Sequence, residues 1–384
     1  MGDLLRSIAI ISFSVYNLTM SSPLASSQSR TANMPVAIIN EEQKRALFPS
    51  TEEGQGKRRA RSDSRRRKTN GQSSTSAMNG SPTDNVHVTK SDLKLPLSPI
   101  VSQDGKRVPL IDIGANLASN KYKKANIPEI LKRSALAGVT HIIITGTSYV
   151  SSRKALELCE EFDGTGGVVL RCTVGIHPHD ATRTMDPDKP YSKTFEHSLE
   201  NLIRSDLGKR YCVAVGECGL DYDRKFSKKE DQKVVFRKQL CLAQKLGKPV
   251  FLHSRAAHKD FLEMLKPFLS TIKAVAHCHT DPSVAHLQEL LQAGVYIGLT
   301  GMACDERKGR FNPDIIYNTP LERLMVETDA PYLFPRNVPR PWGNWENEPC
   351  LTPFVVRKIA EVCDCSEEEI ARGTTEVAME FFGL

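Results

Sequence analysis

The first 105 residues contain no cysteine and only three aromatic residues, whereas residues 106–384 contain all ten cysteines and 22 aromatic residues. The first part is instead rich in serine, with 18 of them. A segment with so little apolar surface cannot offset the loss of chain entropy on folding. A structureless loop of that length is also implausible inside a compact domain. We therefore predict a disordered extension over residues 1–105 and a folded unit over residues 106–384.

The cysteines, from Cys159 to Cys365, form no CxxC pair and no regular framework of spacings. Their arrangement disfavours a disulfide scaffold and a zinc ribbon, both of which need paired cysteines. Scattered buried thiols in a reducing compartment fit this pattern best.

A long hydrophobic run is also missing. The most apolar stretch near the start, Ile8–Tyr16, contains two serines and is too polar to span a bilayer, so no membrane segment is predicted. No charge occurs from Ser7 to Ser29, and acids are scarce before Glu41. A cleaved signal peptide or an organelle presequence therefore stays open as an alternative address.

Positive charge is concentrated in one place. The net charge is +7, and the run Lys57–Lys68 (KRRARSDSRRRK) holds eight basic residues against one acid. Residues 106–384 are nearly neutral, with 38 Lys and Arg against 36 Asp and Glu, so a polyanion must meet a local patch there. The run resembles a bipartite nuclear-import signal, which predicts the nucleus, with the cytoplasm as an alternative. A nonspecific nucleic-acid arm and an idle solvated tail are the competing interpretations.

Short β-branched runs alternate with amphipathic stretches of helical length after residue 105. One such stretch, Asp231–Leu246, ends at Gly247 directly before the next run. Eight strands alternating with helices predict a (β/α)8 TIM-type barrel. The competing doubly wound sheet is disfavoured, because the sequence contains neither a GxGxxG nor a GxxxxGK[ST] phosphate loop. The predicted strands are Leu110–Ile113, His141–Thr145, Val168–Val174, Cys212–Val215, Pro249–Leu252, Lys273–Ala276, Val295–Leu299 and Arg323–Val326.

Six of these strands contain, or are followed by, side chains that can bind a metal ion. In a barrel they would converge on the face where active sites occur. Several carboxylates and imidazoles in one confined cavity leave uncompensated charge, which a bound divalent cation neutralises. Zn²⁺, Mn²⁺ and Mg²⁺ all suit such a set, and the sequence does not choose among them. The residues are Asp112 in LIDIGAN, His177 and His179 in GIHPHD, Glu217 in VAVGECGLD, His253 in VFLHSR, His277 in AVAHCH and Asp329 in VETDAP.

Nine segments occur in an order that resembles the TatD-like metal-dependent deoxyribonucleases, a branch of the amidohydrolase-like barrels. They are LIDIGANL, ITGT, GIHPHD, VAVGECGLDYDR, PVFLHSR, YIGLTG, ACDERKG, LMVETDAPYL and NEP. The resemblance runs through residues 110–384. It implies a barrel, a divalent metal ion and hydrolysis of phosphodiester bonds from a DNA end. Carried over by position, the metal ligands are Glu217, His253, His277 and Asp329.

Two departures from the wider family bear on the metal site. Many members open with an HxH pair on the first strand, where this chain has Asp112-Ile113-Gly114. We therefore expect Asp112 to be an oxygen ligand of a second, weaker metal position. After the sixth strand the family has an HCFTG-like segment, whereas this chain has His279 at the aromatic position. We expect His279 to be a surface residue rather than a polar contact near the metal.

The resemblance and the chemistry of the residues assign roles. Asp329 and Glu217 are the expected catalytic carboxylates, with Asp329 accepting the proton of the attacking water. DNA is the expected partner, and the sequence indicates no membrane and no obligate protein partner. The expected substrate-binding residues are Arg255, His177, His258 and Asn116.

Two other functions stay open. The first is a small-molecule amidohydrolase with the same metal site, which is weakened because Glu217 stands where many of those enzymes have a carbamylated lysine. The second is a catalytically silent nucleic-acid binder, which the intact ligand set makes less plausible.

Overall fold

The computed structural model describes residues 97–188, 194–339 and 346–384. Eight parallel strands pair side by side in chain order, from β1 to β8. A parallel bridge between Ala115 and Ala330 brings the last strand next to the first, so that the sheet closes. The predicted TIM-type barrel is confirmed, and each strand overlaps its predicted range. The strands are β1 (Leu110–Ala115), β2 (Val139–Ile144), β3 (Val169–Val174), β4 (Cys212–Asp221), β5 (Val250–Arg255), β6 (Ala274–Ala276), β7 (Tyr296–Leu299) and β8 (Leu324–Val326).

Helices follow the strands and pack outside the barrel. The predicted helix after β4 begins at Lys229 and ends at Leu246, where Gly247 adopts a left-handed φ of 62° that stops it. The α-helices of the described residues are α1 (Ile127–Leu136), α2 (Tyr149–Phe162), α3 (Ala181–Met185), α4 (Phe195–Arg204), α5 (Asp206–Tyr211), α6 (Lys229–Leu246), α7 (His258–Leu265), α8 (Val284–Gln292), α9 (Asp314–Tyr317), α10 (Thr352–Cys363) and α11 (Glu367–Phe382).

Apolar side chains fill the barrel. Alternate strand residues such as Ile111, Ile113 and Phe251 form an interior cluster, which Phe381 of α11 joins. Thr375 of α11 donates a hydrogen bond of 2.8 Å to the carbonyl oxygen of Pro109, directly before β1. Helix α11 therefore covers the amino-terminal end of the barrel. The carboxyl-terminal end is left for the polar residues that follow the strands.

The folded unit begins before the predicted boundary at residue 106. Ile100 is only 1% exposed, and Val101 forms an antiparallel bridge with Arg107. Arg357 of α10 donates a hydrogen bond of 2.8 Å to the carbonyl oxygen of Ser98. Residues 98–101 therefore pack against the barrel, ahead of the predicted boundary.

Three sequence predictions concern residues outside the described ranges. They are the disorder of the extension up to residue 96, the basic run 57–68 and the apolar stretch 8–16. Within the described ranges, none of the helices combines the length and the apolar character needed to cross a membrane.

Candidate metal centre

A cavity lies where the carboxyl ends of the strands converge. It brings together most of the site residues that the sequence predicted, although they come from six strands and their following loops. Asp112 and His258 are not among its lining residues. The predicted residues that line the cavity are Asn116, His177, Glu217, His253, Arg255, His277 and Asp329.

Glu217 lies at the centre of three imidazole rings. Its Oε1 is 2.8 Å from His277 Nε2, 3.0 Å from His253 Nδ1 and 3.1 Å from His177 Nε2. The carboxylate is 4% exposed and the three rings are largely enclosed. One oxygen therefore faces three nitrogens from three different strand ends.

Glycine at position 219 allows β4 and β5 to approach closely. Its φ is 145°, a conformation that side-chain-bearing residues rarely adopt. A Cβ atom at this position would collide with the carbonyl oxygen of His253. In the sheet Gly219 pairs with His253, and the register shifts between Gly216 and Cys218, so that Glu217 lies at an irregularity in β4.

Charge within the site alters its pKa values. Burial acts to raise the pKa of Glu217, but the positive charge of His277 and the hydrogen bonds from His177 and His253 hold it well below its ordinary value. Burial acts to lower the pKa of His277, yet Glu217 and Glu327 raise it well above the ordinary value. Burial lowers the pKa of His177 to about 4. His177 is therefore neutral at physiological pH, the form in which a ring nitrogen binds a metal.

Sequence reasoning missed Asp221, the last residue of β4. Asp221 is fully buried, and its Oδ2 is 2.7 Å from His179 Nε2 and 3.2 Å from His253 Nε2. The backbone N–H groups of Asp223 and Arg224 donate to its Oδ1. The second nitrogen of His253 is thus oriented by a fixed carboxylate, as in many carboxylate–histidine–metal arrangements. The alternation of side chains along a strand could have indicated Asp221, because residues 217 and 221 lie on the same face of β4.

Asp329 follows β8 and reaches the same cavity. Its φ of 51° is unusual for a residue with a side chain. Its Oδ1 accepts a hydrogen bond of 2.7 Å from Asn116 Nδ2. Burial raises its pKa to about 7.

A second carboxylate from this loop, Glu327, was also missed. It is fully buried, its Oε2 is 3.3 Å from His277 Nδ1, and its Oε1 accepts from the backbone of Cys278. A Cβ atom at Gly114 would collide with Glu327 Oε2, and one at Gly298 would lie 2.8 Å from Oε1. Glu327 therefore fills the space that the second histidine of an HxH pair would occupy. In the sequence, Gly114 in place of that histidine could have indicated that another side chain fills this space.

Asp112 does not line the cavity, and its expected contact with a weaker metal stays a prediction. Its Oδ1 accepts hydrogen bonds from the backbone of Thr328 at 3.0 Å and of Gly114 at 3.2 Å. The Thr328 hydroxyl donates to its Oδ2. Asp112 is fully buried, and its carboxylate joins β1 to the loop after β8. Both of its oxygens are engaged in these hydrogen bonds.

Replacing Asp112 with alanine should lower the free energy of unfolding by about 1–3 kcal/mol, the usual cost of a buried donor left without an acceptor. Chemical denaturation of the two proteins measures this. Asp112→Asn is the matched control, because its amide oxygen still accepts from the backbone.

The stability of Asp112→Asn should also differ from that of wild type in its dependence on pH. Burial raises the pKa of Asp112 to about 7 in the folded state, so wild type loses stability as pH rises through that value. The neutral asparagine removes this loss, so stability should shift in its favour between about pH 4, the pKa of an unfolded aspartate, and about pH 7. An alanine variant as stable as wild type would contradict the structural role.

His258 lies outside the cavity, and one histidine, His279, was placed wrongly by the sequence. His258 begins α7, and its Nε2 lies 3.1 Å from Glu289 Oε2. Its expected contact with substrate stays a prediction. His279 was expected on the surface, but it is only 6% exposed. Its backbone N–H bonds to the carbonyl oxygen of Gly298 in β7, and this holds residue 279 against the sheet.

The donor set suits a divalent ion. One ligand atom from each of His177, Glu217 and His253 lies within 4.8 Å of the others. An anionic oxygen with neutral imidazole nitrogens is the ligand chemistry of Zn²⁺ and Mn²⁺ sites. His277 and Asp329 line the same cavity. The residues present thus fit the metal that the sequence predicted.

Comparison with known proteins agrees with this geometry. A family model described as TatD related DNase matches residues 111–383. The chain belongs to this family. Within the TatD family it is 39% identical to the 3'-5' ssDNA/RNA exonuclease TatD of Erwinia amylovora over 277 residues, covering 72% of this chain and all of that protein. It is 41% identical to the protein of the same description from Edwardsiella piscicida over 253 residues, covering 65% of this chain and 90% of the relative.

A solved TatD structure has the same fold. The hydrolase TatD family protein of Entamoeba histolytica superposes with a TM-score of 0.63 at 25% identity, over 71% of this chain and 98% of that one. The TatD resemblance read from the sequence is thereby confirmed.

Proposed function

We propose that this chain is a metal-dependent exonuclease that hydrolyses phosphodiester bonds of single-stranded DNA or RNA from the 3′ end. The observation that carries the proposal is one cavity holding Glu217 among three imidazoles, with Asp329 and Arg255 beside them. The TatD relatives, whose name gives that substrate and polarity, support it.

The metal would be held by Glu217, His253, His277 and Asp329, with His177 as an additional nitrogen ligand. His177 would act as a metal ligand rather than as a hydrogen-bond donor to phosphate, because its Nε2 faces Glu217. Mg²⁺, Mn²⁺ and Zn²⁺ remain the candidate ions. A divalent ion bound there lowers the pKa of water and takes up charge on phosphate oxygen.

Asp329 would accept the proton of the attacking water. A carboxylate with a pKa near the working pH is an effective general base, and burial brings Asp329 into that range. The hydrogen bond from Asn116 fixes one oxygen. The other carboxylate oxygen is left to meet the proton.

Arg255 would bind the phosphate. It lines the cavity, and its side chain is 34% exposed. Its Nη1 lies 3.9 Å from Asp221 Oδ2, so only a long ion pair holds it. The planar guanidinium can donate two parallel hydrogen bonds to a phosphate. Arg224 and Tyr332 line the same cavity and offer a second cation and a ring for base stacking.

Arg255→Ala should raise KM for single-stranded DNA by about 10- to 100-fold, the equivalent of 1.5–3 kcal/mol for hydrogen bonds to a charged group. Bound metal should be unchanged, because Arg255 contacts phosphate and not the ion. Steady-state kinetics with metal analysis checks both. Arg237→Ala, on the outer helix α6, is the control and should match wild type. An Arg255→Ala protein without metal would contradict this assignment.

An oligonucleotide assay tests the function. Single-stranded DNA labelled at its 5′ end should shorten stepwise from the 3′ end in Mg²⁺ or Mn²⁺ and stay intact in chelator. Blocking the 3′ end should prevent the reaction, and RNA should be cut as well. Binding without cleavage, or turnover only of small amides, would overturn the proposal.

We also propose that the basic run 57–68 directs the protein to the nucleus. Its eight basic residues form two blocks, as import signals do. Fusion of this run to a reporter protein should concentrate the reporter in nuclei. A cytoplasmic reporter would overturn this proposal.

A further inference from the structure

A second group of metal-binding side chains lies outside the cavity. It consists of His258 at the start of α7, Asp281 in the loop after β6, and His286 in the first turn of α8. One ligand atom from each lies within 4.8 Å of the others. None of the three lines the catalytic cavity.

The two histidines face each other and each has a carboxylate partner. Their rings stack with centroids 4.0 Å apart and an angle of 10° between planes. His286 Nδ1 is 2.8 Å from Asp281 Oδ2, and His258 Nε2 is 3.1 Å from Glu289 Oε2. His286 and Glu289 stand three residues apart on α8, which places them on one helix face. Two imidazoles and two carboxylates thus converge from three separate elements.

A buried histidine adjoins this group. His279 is 6% exposed, and its Nε2 has no hydrogen-bond partner. Burial lowers the pKa of His279 to about 4, and Asp281, His258 and His286 are the neighbouring side chains that act on its ring. Buried polar groups are normally paired, so an unpaired nitrogen beside this cluster indicates a missing partner.

We propose that His258, Asp281 and His286 form a second metal site that takes Zn²⁺, with Glu289 as an additional oxygen ligand. Mixed imidazole and carboxylate donors suit Zn²⁺, whereas Mg²⁺ prefers oxygen ligands and retained waters. On binding, the ion replaces the hydrogen bonds between each ring and its carboxylate. The site is separate from the one assigned to catalysis.

Binding there would join three elements at the active end of the barrel. The loop that carries Asp281 also supplies Cys278 and Thr280 to the wall of the cavity. A bound ion would tie this loop to the starts of α7 and α8. The expected role is to hold that wall in place.

A substitution at Asp281 can distinguish a metal-binding role from a local structural role. Its Oδ1 accepts a hydrogen bond of 3.0 Å from the backbone of Ser283, the residue that caps α8. Asparagine at position 281 keeps this acceptor but removes the negative charge. His286 is 42% exposed, and alanine there favours the helix.

The experiment is a zinc count on the full chain. Protein stripped with chelator is loaded with Zn²⁺, freed of unbound ion and analysed for metal per chain. Wild type should hold one equivalent more than His286→Ala and than Asp281→Asn. His197→Ala, an exposed histidine on α4, should match wild type and serves as the control.

Thermal unfolding gives a second readout. Adding Zn²⁺ to the stripped protein should raise the Tm of wild type more than that of Asp281→Asn. Zinc content and Tm shifts equal to wild type in both variants would overturn the site. Loss of turnover in Glu217→Gln, with this zinc equivalent retained, would show that the two sites are independent.

Discussion

Replacing Glu217 with glutamine should remove tight metal binding and lower kcat by about 10³-fold or more, since a metal ion supplies several kcal/mol of transition-state stabilisation. Glu217 is the carboxylate that three imidazole nitrogens contact at 2.8–3.1 Å. Glutamine keeps the shape and removes the charge. Metal content and turnover of labelled single-stranded DNA measure the two effects together.

Two controls accompany the Glu217 variant. Chelation of wild type should reproduce the loss, and Mg²⁺ or Mn²⁺ should restore turnover to wild type only. Glu157→Gln, an exposed carboxylate on α2, should keep both metal and activity. Retention of metal and turnover by Glu217→Gln would contradict its place at the centre of the site.

Asp329→Asn should lower kcat by about 10²- to 10⁴-fold, the usual contribution of a general base. Asparagine keeps the oxygen that accepts from Asn116 but cannot take a proton from water. The ionised carboxylate is the active form, so kcat/KM of wild type should rise as pH increases through the Asp329 pKa. Burial places that pKa at about 7. A bound cation lowers it, so the midpoint should lie at or below 7.

The pH profile distinguishes a base from a positioning residue. In Asp329→Asn the rising limb should disappear, whereas Asn116→Ala should lower kcat less and keep the limb. An unchanged limb in Asp329→Asn would show that another group accepts the proton.

The convergence of the predicted site residues follows from the topology of the barrel. In a barrel of parallel strands, all carboxyl ends meet on one face, so Glu217, His253, His277 and Asp329 had to converge once the eight strands were recognised. Their approach to one another depends on glycine as well. Gly219 could be read from the sequence, but its contact with His253 could not.

The positions of three residues depend on the local path of the chain and on tertiary contacts, which the sequence pattern does not report. His258 follows His253 by five residues, but α7 starts there and carries it to a second cluster. His279 follows β6 and stays buried against β7. Asp112 was assigned to the metal by its position in the motif. Its hydrogen bonds to Thr328, 216 residues away, are tertiary contacts that a motif does not report.

The most direct test of the metal-dependent nuclease is anomalous diffraction from crystals grown with Mn²⁺ and a single-stranded DNA whose 3′-terminal phosphate is a phosphorothioate. We predict a manganese peak within about 2.3 Å of Glu217 and His253, the ordinary coordination distance. The sulfur of the terminal phosphate should lie beside that ion, with Arg255 on the phosphate. A manganese peak only at other residues, or a 3′ end bound away from Arg255, would contradict the account.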